Sequence, residues 1–334
     1  MKLFSSFALR LIAVALPLIL ASVGEGRANN YNPLVVDPAF HPSHVDLTVH
    51  DAVRGRDIPV RIYLPTNTAP EPVILFSHGL GGSRTGSAFL GEHWAARGYV
   101  AVFLQHPGSD DSVWKNDLTW KGKRALKQAA SLDNFLLRVQ DVPAVLNQLE
   151  LWNTDKNNRL AGRLDMKHVG MSGHSFGAVT TEAVSGETMP AGGQKFTDPR
   201  IKAAIAFSPS SPKAGNTTKA FGSVKIPWML MTGTKDVAPI GDTDVTSRLA
   251  VYPALHVPKY EVVLYNAEHS AFTDRALPGD SQPRNPNHHR VILVLSTAFW
   301  DTHLRGDADA LAWLNGPGPR SVMEPADRWQ CSTH

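Results

Sequence analysis

Short, nearly continuous apolar runs constrain the fold of this chain more than any other feature of its sequence. They occur at residues 72–76, 99–104, 168–171, 201–207, 227–231 and 260–265. Runs without polar alternation are typical of strands that are buried on both faces, as in a parallel sheet. Apolar residues at helical spacing lie between several of these runs, as at residues 88–95 and 132–139. Strands that alternate with helices predict a doubly wound α/β sheet.

An antiparallel strand pair is predicted in front of this sheet. Apolar and polar residues alternate over residues 45–49 and again over 58–64, on either side of a turn that contains Gly55. Period two on both sides of a glycine turn is typical of a hairpin with one solvated face. We therefore predict an α/β fold with a mostly parallel, doubly wound sheet and an antiparallel N-terminal strand pair.

Two helices carry more specific expectations. The helix that starts near Leu132 contains Pro143, which is expected to kink or restart it, with Asp141 available as a cap. Arg138 and Asp141 are spaced i and i+3, so they either pair on the helix surface or tie the helix to the core. A last helix is predicted at about residues 290–304.

The composition fits one large domain better than two. A length of 334 residues favours two domains as a first guess, but 43% hydrophobic and 19% charged residues describe one well-buried core. We predict a main domain over residues 44–305, preceded by an Asn- and Pro-rich extended arm over 29–43. A C-terminal helix and a loose tail are predicted over 306–334.

Cysteine and charge exclude several classes of function. Cys331 is the single cysteine, so no intrachain disulfide and no Cys-rich zinc site can form. No carboxylate or cysteine at metal-site spacing accompanies two histidine pairs, His41 with His44 and His288 with His289. These histidines are predicted to be solvated. The formal net charge of +3 is not gathered into blocks of like charge, so nucleic acid is not an expected partner.

Residues 1–28 have the order of a secretory signal peptide. Positive charge precedes an uncharged, mostly apolar run over 11–23, which is shorter than the roughly 20 residues of a membrane-spanning helix. Small residues follow, so cleavage is predicted between Gly24 and Ala28. The mature chain is then secreted or periplasmic and has no integral membrane span. A buried N-terminal helix is the alternative interpretation.

Gly173-His174-Ser175-Phe176-Gly177 matches the G-x-S-x-G pattern of a nucleophile elbow. The pattern alone is weak, but here it directly follows an apolar run and directly precedes a predicted helix. The elbow requires this setting, because the glycines allow a tight turn that leaves the serine protruding at the positive end of a helix. Ser175 is therefore the predicted nucleophile. A glycine-rich turn without a catalytic role is the alternative.

A serine hydroxyl needs a base, and the base needs an acid that orients it. In sheets of this kind they follow in the order serine, acid, histidine, on loops after later strands. Asp236 follows the fifth apolar run and His269 follows the sixth. We predict His269 as the base and Asp236 as the acid. Asp242 and Asp244 are competing acids, whereas Glu268 is too close in sequence to His269 to orient it.

A tetrahedral oxyanion needs two N–H donors in fixed positions. The backbone N–H of Phe176, directly after the nucleophile, is predicted as the first donor. The second is expected in the segment Ser77-His78-Gly79-Leu80-Gly81-Gly82, where the glycines let the backbone turn inward and we predict the N–H of Leu80. A glycine-rich turn without a role is the alternative for this segment.

Three further histidines and one segment lie close to these motifs. His106, on a strand-end loop, is predicted to contact the substrate, with a structural hydrogen bond as the alternative. His78 is expected to hold the oxyanion loop, and His174 to point away from its neighbour Ser175. Residues 110–128 form either a cap over the site or local packing.

Together these motifs resemble the α/β-hydrolase fold, over about residues 45–304. Within that fold the sequence is similar to secreted dienelactone-hydrolase-like esterases, platelet-activating-factor acetylhydrolases and cutinase-type polyesterases. The motifs that carry the resemblance are His78-Gly79-Leu80-Gly81-Gly82, His106-Pro107-Gly108-Ser109, the elbow, Asp236-Val237-Ala238-Pro239 and His269. The resemblance implies a serine ester hydrolase without metal or organic cofactor, acting on a small-molecule, lipid or polymeric ester.

The sequence departs from each of these families at one place. Dienelactone hydrolases have a cysteine nucleophile where this chain has Ser175. Animal acetylhydrolases that resemble this chain carry the acid just after the strand that follows the elbow. There this chain reads Phe207-Ser208-Pro209-Ser210, without a carboxylate, which favours Asp236. Polyesterases usually place a tryptophan in that same loop, so its absence here makes a polyester a less favoured substrate.

We therefore predict hydrolysis of short-chain, lipid or polyester-type esters through an acyl-enzyme. The nearest alternative is the same triad in a peptidase, thioesterase, acyltransferase or perhydrolase. A non-catalytic binding protein on the same fold is the alternative from another class.

Overall fold

The computed structural model describes residues 31–36, 41–190, 192–212, 215–241, 243–277 and 279–333. From residue 31 onward they form one compact unit. The signal peptide predicted for residues 1–28, with its cleavage between Gly24 and Ala28, lies outside the described residues, as does part of the arm predicted for 29–43. No helix in the described ranges is long and apolar enough to cross a membrane.

One sheet of nine strands organises the described part of the chain. Its strands are β1 (Ser43–Asp51), β2 (Arg56–Leu64), β3 (Glu71–Ser77), β4 (Val100–Leu104), β5 (Leu164–His174), β6 (Ile201–Phe207), β7 (Trp228–Lys235), β8 (Lys259–Glu268) and β9 (Arg328–Ser332). Their order in the sheet is β1-β2-β4-β3-β5-β6-β7-β8-β9. The strands from β3 to β8 are parallel, whereas β1 with β2, β2 with β4, and β8 with β9 pair antiparallel. The predicted parallel sheet with an antiparallel N-terminal pair is confirmed.

Helices cover both faces of the sheet. They are α1 (Ala88–Ala96), α2 (Trp120–Ala129), α3 (Leu132–Thr154), α4 (Phe176–Val184), α5 (Thr217–Phe221), α6 (Val245–Leu249), α7 (Val251–Ala254), α8 (Pro286–Arg305), α9 (Ala308–Asn315) and α10 (Gly318–Val322). Along β3, Ile74 and Phe76 pack with side chains of α1 and α8, while Val73 and Leu75 pack with side chains of α3. Burial on both faces explains why the predicted strands lack polar alternation. This is an α/β-hydrolase fold.

α3 differs from its prediction. It runs unbroken through Pro143 over its 23 residues, because the apolar face that it packs on the sheet outweighs the hydrogen bond that proline removes. Ser131 caps its N-terminus by accepting a hydrogen bond from the N–H of Asn134 at 3.2 Å. Asp141 is not a cap. It and Arg138 are fully buried, so the surface-pair interpretation is wrong and the tie to the core is what the structure shows.

The C-terminal region is more ordered than predicted. α8 begins at Pro286, capped by Asn285, earlier than the expected start near residue 290. The segment 306–334 contains the predicted C-terminal helix, as α9 followed by α10, but the part predicted to be a loose tail forms β9 instead. β9 covers the open edge of β8, and its Trp329 stacks on Tyr260 with ring centroids 6.0 Å apart. Cys331 lies on this strand as a free thiol.

Candidate active site

The turn between β5 and α4 holds Ser175 in a strained backbone conformation. Its φ of 57° and ψ of −115° lie where residues other than glycine are seldom found. A β-carbon on Gly177 would overlap the carbonyl group of Ser77, and one on Gly173 would overlap the backbone of Gly177. Close backbone approach therefore requires both glycines of the motif. The turn leaves Ser175 partly exposed at the N-terminus of α4.

The side chains of Ser175, His269 and Asp236 form one hydrogen-bonded chain. Oγ of Ser175 lies 2.8 Å from Nε2 of His269, and Nδ1 of His269 lies 2.7 Å from Oδ1 of Asp236. Asp236 stands directly after β7, and His269 opens a 3₁₀ turn directly after β8. The structure thus brings together the residues predicted as nucleophile, base and acid.

Asp236 is fully buried, yet its surroundings keep it ionised. Burial by itself raises the pKa of this carboxyl, but hydrogen bonding to His269 and the attraction of His269 and Arg248 outweigh burial and lower the pKa to about 2. Oγ1 of Thr232 donates to Oδ2 at 2.8 Å, and a nitrogen of Arg248 lies 3.1 Å from Oδ1. An ionised carboxylate only accepts hydrogen bonds. Nδ1 of His269 therefore carries the ring proton, and Nε2 is the acceptor that faces Ser175.

The competing acids have other partners. Asp244 caps α6, where its Oδ1 accepts a hydrogen bond from the N–H of Ser247 at 2.8 Å. Glu268 accepts hydrogen bonds from the N–H groups of Ser281 and Gln282, and so holds the loop that precedes α8. Asp242 lies outside the described residues.

Arg248, on α6, belongs to the site although no sequence pattern singles it out. Its guanidinium is 1% exposed and donates to the backbone oxygens of Asp236, Ser208 and Pro209 at 2.7, 2.7 and 3.1 Å. The arginine thereby joins the loop after β7, which carries the acid, to the loop after β6. Its partners are carbonyl oxygens from distant parts of the chain, and such partners leave no spacing that a sequence could display.

His174 packs behind the base. Its ring centroid lies 4.6 Å from that of His269 and 5.8 Å from that of Phe272, and the side chain is buried. Burial, followed by the neighbouring His269, holds the pKa of His174 well below its ordinary value, so the ring is neutral. The side chain supports the imidazole of His269 and forms no hydrogen bond with Ser175 in the described structure.

The N–H groups of Leu80 and Phe176 lie on two segments that meet beside the nucleophile. Phe176 is the first residue of α4, so its N–H has no acceptor within the helix. The N–H of Leu80 donates to no atom of the described residues. A β-carbon on Gly79 would lie 3.5 Å from Cβ of Ser175, which places the loop that carries Leu80 directly beside the serine. Both N–H groups are therefore available to a ligand there.

His106 does not reach this site, and the predicted substrate contact is wrong. The side chain has no exposed surface, since Nδ1 lies 2.9 Å from Oδ2 of Asp141 and Nε2 lies 2.9 Å from the hydroxyl of Ser77. Burial, aided by the charge of Arg138, lowers the pKa of His106 to about 4, so the ring is neutral. Both ring nitrogens are occupied inside the protein. The alternative, a structural hydrogen bond, is what the structure shows.

Residues 110–129 pack on the outside of the glycine-rich loop. Nε1 of Trp114 donates to the carbonyl oxygen of Gly81 at 2.7 Å, and a β-carbon on Gly81 would lie 2.6 Å from the side chain of Leu126. Trp120, at the start of α2, is 65% exposed. The segment therefore supports this loop by local packing, which was one of the two alternatives.

The described residues form a groove away from Ser175 and no candidate metal site. A groove of about 570 Å³ is lined by the β1–β2 turn, α3 and residues 195–199, and none of Ser175, His269 and Asp236 lines it. No group of three or more His, Cys, Asp or Glu side chains that could hold a metal ion occurs among the residues that the structure describes.

Comparison with known proteins finds similarity to platelet-activating factor acetylhydrolases. Residues 61–116, which include the glycine-rich loop, match the family model described as platelet-activating factor acetylhydrolase, isoform II. The chain is also 28% identical over 178 residues to the platelet-activating factor acetylhydrolase of Cavia porcellus. That match covers 46% of this chain and 38% of the relative, so it spans less than half the length of each. The similarity to acetylhydrolase-like esterases of the α/β-hydrolase fold is confirmed.

Proposed function

We propose that this protein is a serine carboxylic-ester hydrolase that works through an acyl-enzyme. The observation that carries the proposal is the continuous chain from Ser175 through His269 to Asp236, with hydrogen-bond distances of 2.8 and 2.7 Å. A hydroxyl, an imidazole and a buried carboxylate in this order can make an alcohol nucleophilic at neutral pH. The similarity to platelet-activating factor acetylhydrolases supports the same class of reaction.

In the first half of the reaction, Oγ of Ser175 attacks the carbonyl carbon of the ester while its proton passes to Nε2 of His269. Asp236 stabilises the imidazolium that forms, and it remains ionised because its pKa is about 2. The carbonyl oxygen becomes an oxyanion, which accepts hydrogen bonds from the N–H groups of Leu80 and Phe176. His269 then gives the proton to the leaving alcohol as the C–O bond breaks, and the acyl group stays on Ser175.

The second half repeats this chemistry with water in place of the serine hydroxyl. Water gives its proton to Nε2 of His269 and attacks the acyl carbon, and the same two N–H groups hold the new oxyanion. Collapse releases the carboxylic acid, and the proton on His269 returns to Oγ of Ser175. The imidazole therefore alternates between base and acid twice in each cycle.

Short acyl esters, including acetyl esters of lipids, are the substrate class that we propose. The Cavia porcellus relative is named as an acetylhydrolase, and this favours a small acyl group. An aromatic polyester is less favoured, because Ser208, Pro209 and Ser210 offer no aromatic side chain in the loop after β6.

A panel of p-nitrophenyl acetate, butyrate and octanoate, set against the matching anilide and thioester, tests the proposal. We expect hydrolysis of the esters, fastest for the shortest acyl groups, and much slower cleavage of the anilide. Faster cleavage of the anilide or thioester would instead favour a peptidase or thioesterase that uses the same triad.

Replacement of the nucleophile tests the mechanism. Ser175→Ala should lower kcat by several orders of magnitude, because members of a triad act as a unit. Ser185→Ala is the matched control, since Ser185 lies just beyond the other end of the same helix and should be dispensable. A fluorophosphonate probe should label the wild type at Ser175. Absence of labelling, or most of the activity retained in Ser175→Ala, would refute the proposal.

We also propose that the enzyme is exported after removal of its N-terminal segment. The support is the order of charged, apolar and small residues over 1–28. N-terminal sequencing of protein from the culture medium or periplasm should find a chain that begins between Glu25 and Asn29. An intact Met1 on all the protein, retained in the cytoplasm, would refute export.

A further inference from the structure

Arg138 is a buried cation that the mechanism above does not use. It lies on α3 with no exposed surface, and in the described structure its guanidinium forms no ion pair with a carboxylate. Its main partners are neutral, because Nη1 donates to the carbonyl oxygen of His78 at 2.7 Å and Nε donates to the hydroxyl of Ser109 at 2.8 Å. Burial lowers the pKa of Arg138, but only to about 9, so the side chain is charged at neutral pH.

The guanidinium belongs to a set of donors that orient the peptide group between Gly79 and Leu80. The carbonyl oxygen of Gly79 accepts from the N–H of Gly82 at 3.0 Å, from Nδ1 of His78 at 2.7 Å and from Nη2 of Arg138 at 3.5 Å. In a trans peptide the N–H points away from the carbonyl oxygen. These donors hold the carbonyl oxygen of Gly79 on the side of α3. The N–H of Leu80 therefore points to the opposite side, away from Arg138.

His78 fits this arrangement in only one tautomer. The N–H of His106 donates to Nε2 of His78 at 3.0 Å, so that nitrogen is the acceptor and Nδ1 carries the proton. Nδ1 then donates to the carbonyl oxygen of Gly79. Burial, and next the charge of Arg138, hold the pKa of His78 well below its ordinary value, which keeps the ring neutral.

The same guanidinium also contacts the other half of the predicted oxyanion hole. Its central carbon lies 4.4 Å from the centroid of the Phe176 ring, a cation–π distance. Phe176 supplies the first N–H donor, at the start of α4. One charged group on α3 thus touches both segments that carry the two donors.

We infer that Arg138 is a positioning residue that sets the two N–H groups of Leu80 and Phe176 toward one oxyanion. This inference rests on the proposed ester hydrolysis. The arginine acts through the carbonyl oxygens of residues 78 and 79 and through the ring of Phe176, and it does not touch the substrate. The arginine therefore stabilises the transition state, in which negative charge develops on the carbonyl oxygen, and it does not contribute to substrate binding.

Two substitutions and a matched control test this role. Arg138→Lys keeps the positive charge but loses the planar guanidinium with its several N–H donors. Arg138→Met removes both the charge and the donors. The control is Arg163→Met, because Arg163 also donates to loop carbonyls, those of Pro65 and Asn67, but just before β5 begins, at the end of that strand opposite to Ser175. We expect kcat for p-nitrophenyl acetate to fall about 10-fold in the lysine variant and about 100-fold in the methionine variant, with KM within threefold of the wild type.

A transition-state analogue separates positioning from a merely structural role. An alkyl trifluoromethyl ketone adds the serine hydroxyl to its carbonyl carbon and becomes a hemiketal oxyanion, whereas the matching methyl ketone stays largely unreacted. Binding of the trifluoromethyl ketone should weaken by the same factor as kcat/KM in each Arg138 variant, and binding of the methyl ketone should stay unchanged. Arg163→Met should leave both inhibitors and kcat unchanged.

The inference is overturned if folded Arg138→Met keeps the wild-type kcat and analogue affinity, or if its only change is a raised KM. If that variant does not fold, Ser109→Ala and Phe176→Leu each remove a single contact of the guanidinium. Each should lower kcat several-fold at unchanged KM, and full kcat in both would equally overturn the inference. An inactive wild type that binds neither ketone refutes the proposed function together with this role, whereas an active wild type with unaffected variants refutes this role alone.

Discussion

Gly177 and Ser77 approach so closely that a β-carbon on the glycine would overlap the serine carbonyl group. Gly177 is the second residue of α4 and Ser77 is the last residue of β3. The helix that begins behind the nucleophile therefore rests on the strand end from which the glycine-rich loop departs. In the proposed mechanism, this contact brings the segments that carry the N–H groups of Leu80 and Phe176 to the same side of the nucleophile.

Gly177→Ala should separate α4 from the end of β3. The residue has no positive φ, so alanine is acceptable to the backbone and the effect is steric. We expect a loss of about 1–3 kcal/mol in the free energy of unfolding. We also expect a fall of roughly 100-fold in kcat for p-nitrophenyl acetate, because one oxyanion donor moves. Urea titration and steady-state kinetics measure the two effects.

Gly86→Ala is the control for that substitution. A β-carbon there would lie 3.4 Å from its nearest neighbour, the carbonyl oxygen of Ser83, so both stability and kcat should stay at wild-type values. A Gly177→Ala variant as stable and active as Gly86→Ala would show that the close approach has no role.

Asp236→Asn should keep the shape of the site and remove its charge. The amide can donate to Nδ1 of His269, which would favour the tautomer whose proton faces Ser175, and that tautomer cannot act as a base. We expect kcat to fall by about three to four orders of magnitude. Asp244→Asn is the matched control, because Asp244 only caps α6 and its replacement should cost at most about 1 kcal/mol in stability at unchanged kcat. Equal effects of the two substitutions on kcat would remove Asp236 from the mechanism.

The elements that carry Ser175, Asp236 and His269 could be predicted because each follows a strand that is buried on both faces. Such strands appear as apolar runs, and the order of the three residues along the chain follows from the topology of the sheet. The buried arginines could not be predicted in the same way, because the spacing of Arg138 to Asp141 leaves a surface pair and a tie to the core both open, and no pattern singles out Arg248. The hydrogen-bond partners of both arginines are mainly carbonyl oxygens of distant loops, which leave no signal near the arginines in the sequence.

The errors also have physical causes. His106 was expected at the substrate because it stands at a strand end, but Asp141 of α3 accepts its Nδ1 hydrogen bond and turns the ring inward. The sequence predicts a loose tail in place of β9, because an edge strand with one solvated face carries no apolar run.

Asp141 should account for part of the loss of stability in acid. Its carboxylate accepts from Arg54 at 2.9 Å, from Arg56 at 2.8 Å and from His106 at 2.9 Å. Burial alone raises its pKa, but the hydrogen bonds of His106 and Arg56 outweigh burial and lower the pKa to about 2, against 3.8 for a free carboxyl. The group therefore contributes stability that is fully present above pH 3.8 and is lost as pH falls toward 2.

Asp141→Asn should remove this contribution at every pH. Two arginines lose their buried counter-charge, so we expect a loss of about 3–5 kcal/mol at pH 7. The dependence of the free energy of unfolding on pH between 4 and 2 should also become shallower. Asp57→Asn, at a carboxylate that is 68% exposed, is the control and should change the free energy by less than about 1 kcal/mol. A stability of Asp141→Asn equal to that of the control would contradict the assignment.

Two buried glutamates at the C-terminal end of α4 should lower the free energy of unfolding as pH rises, which is opposite to the effect of Asp141. Glu182 is 1% exposed and Glu187 is 7% exposed. Burial raises the pKa of Glu187 to about 7, and burial together with the neighbouring Glu187 holds the pKa of Glu182 well above its ordinary value. Oε1 of Glu182 also accepts from the N–H of Ser210, in the loop that Arg248 ties to the acid.

Glu187→Gln should make stability less dependent on pH on the neutral side. The native state of the wild type binds a proton on Glu187 that the unfolded chain, with a pKa near 4.5, releases earlier. The contribution is therefore fully present below pH 4.5 and is lost as pH rises through 7. Between pH 4.5 and 8 the free energy of unfolding of the wild type should fall more than that of the variant, by on the order of 2–3 kcal/mol. Glu92→Gln, at an exposed position on α1, should retain the wild-type slope in the same urea titrations. If Glu187→Gln also retains it, the proton on Glu187 does not contribute to folding.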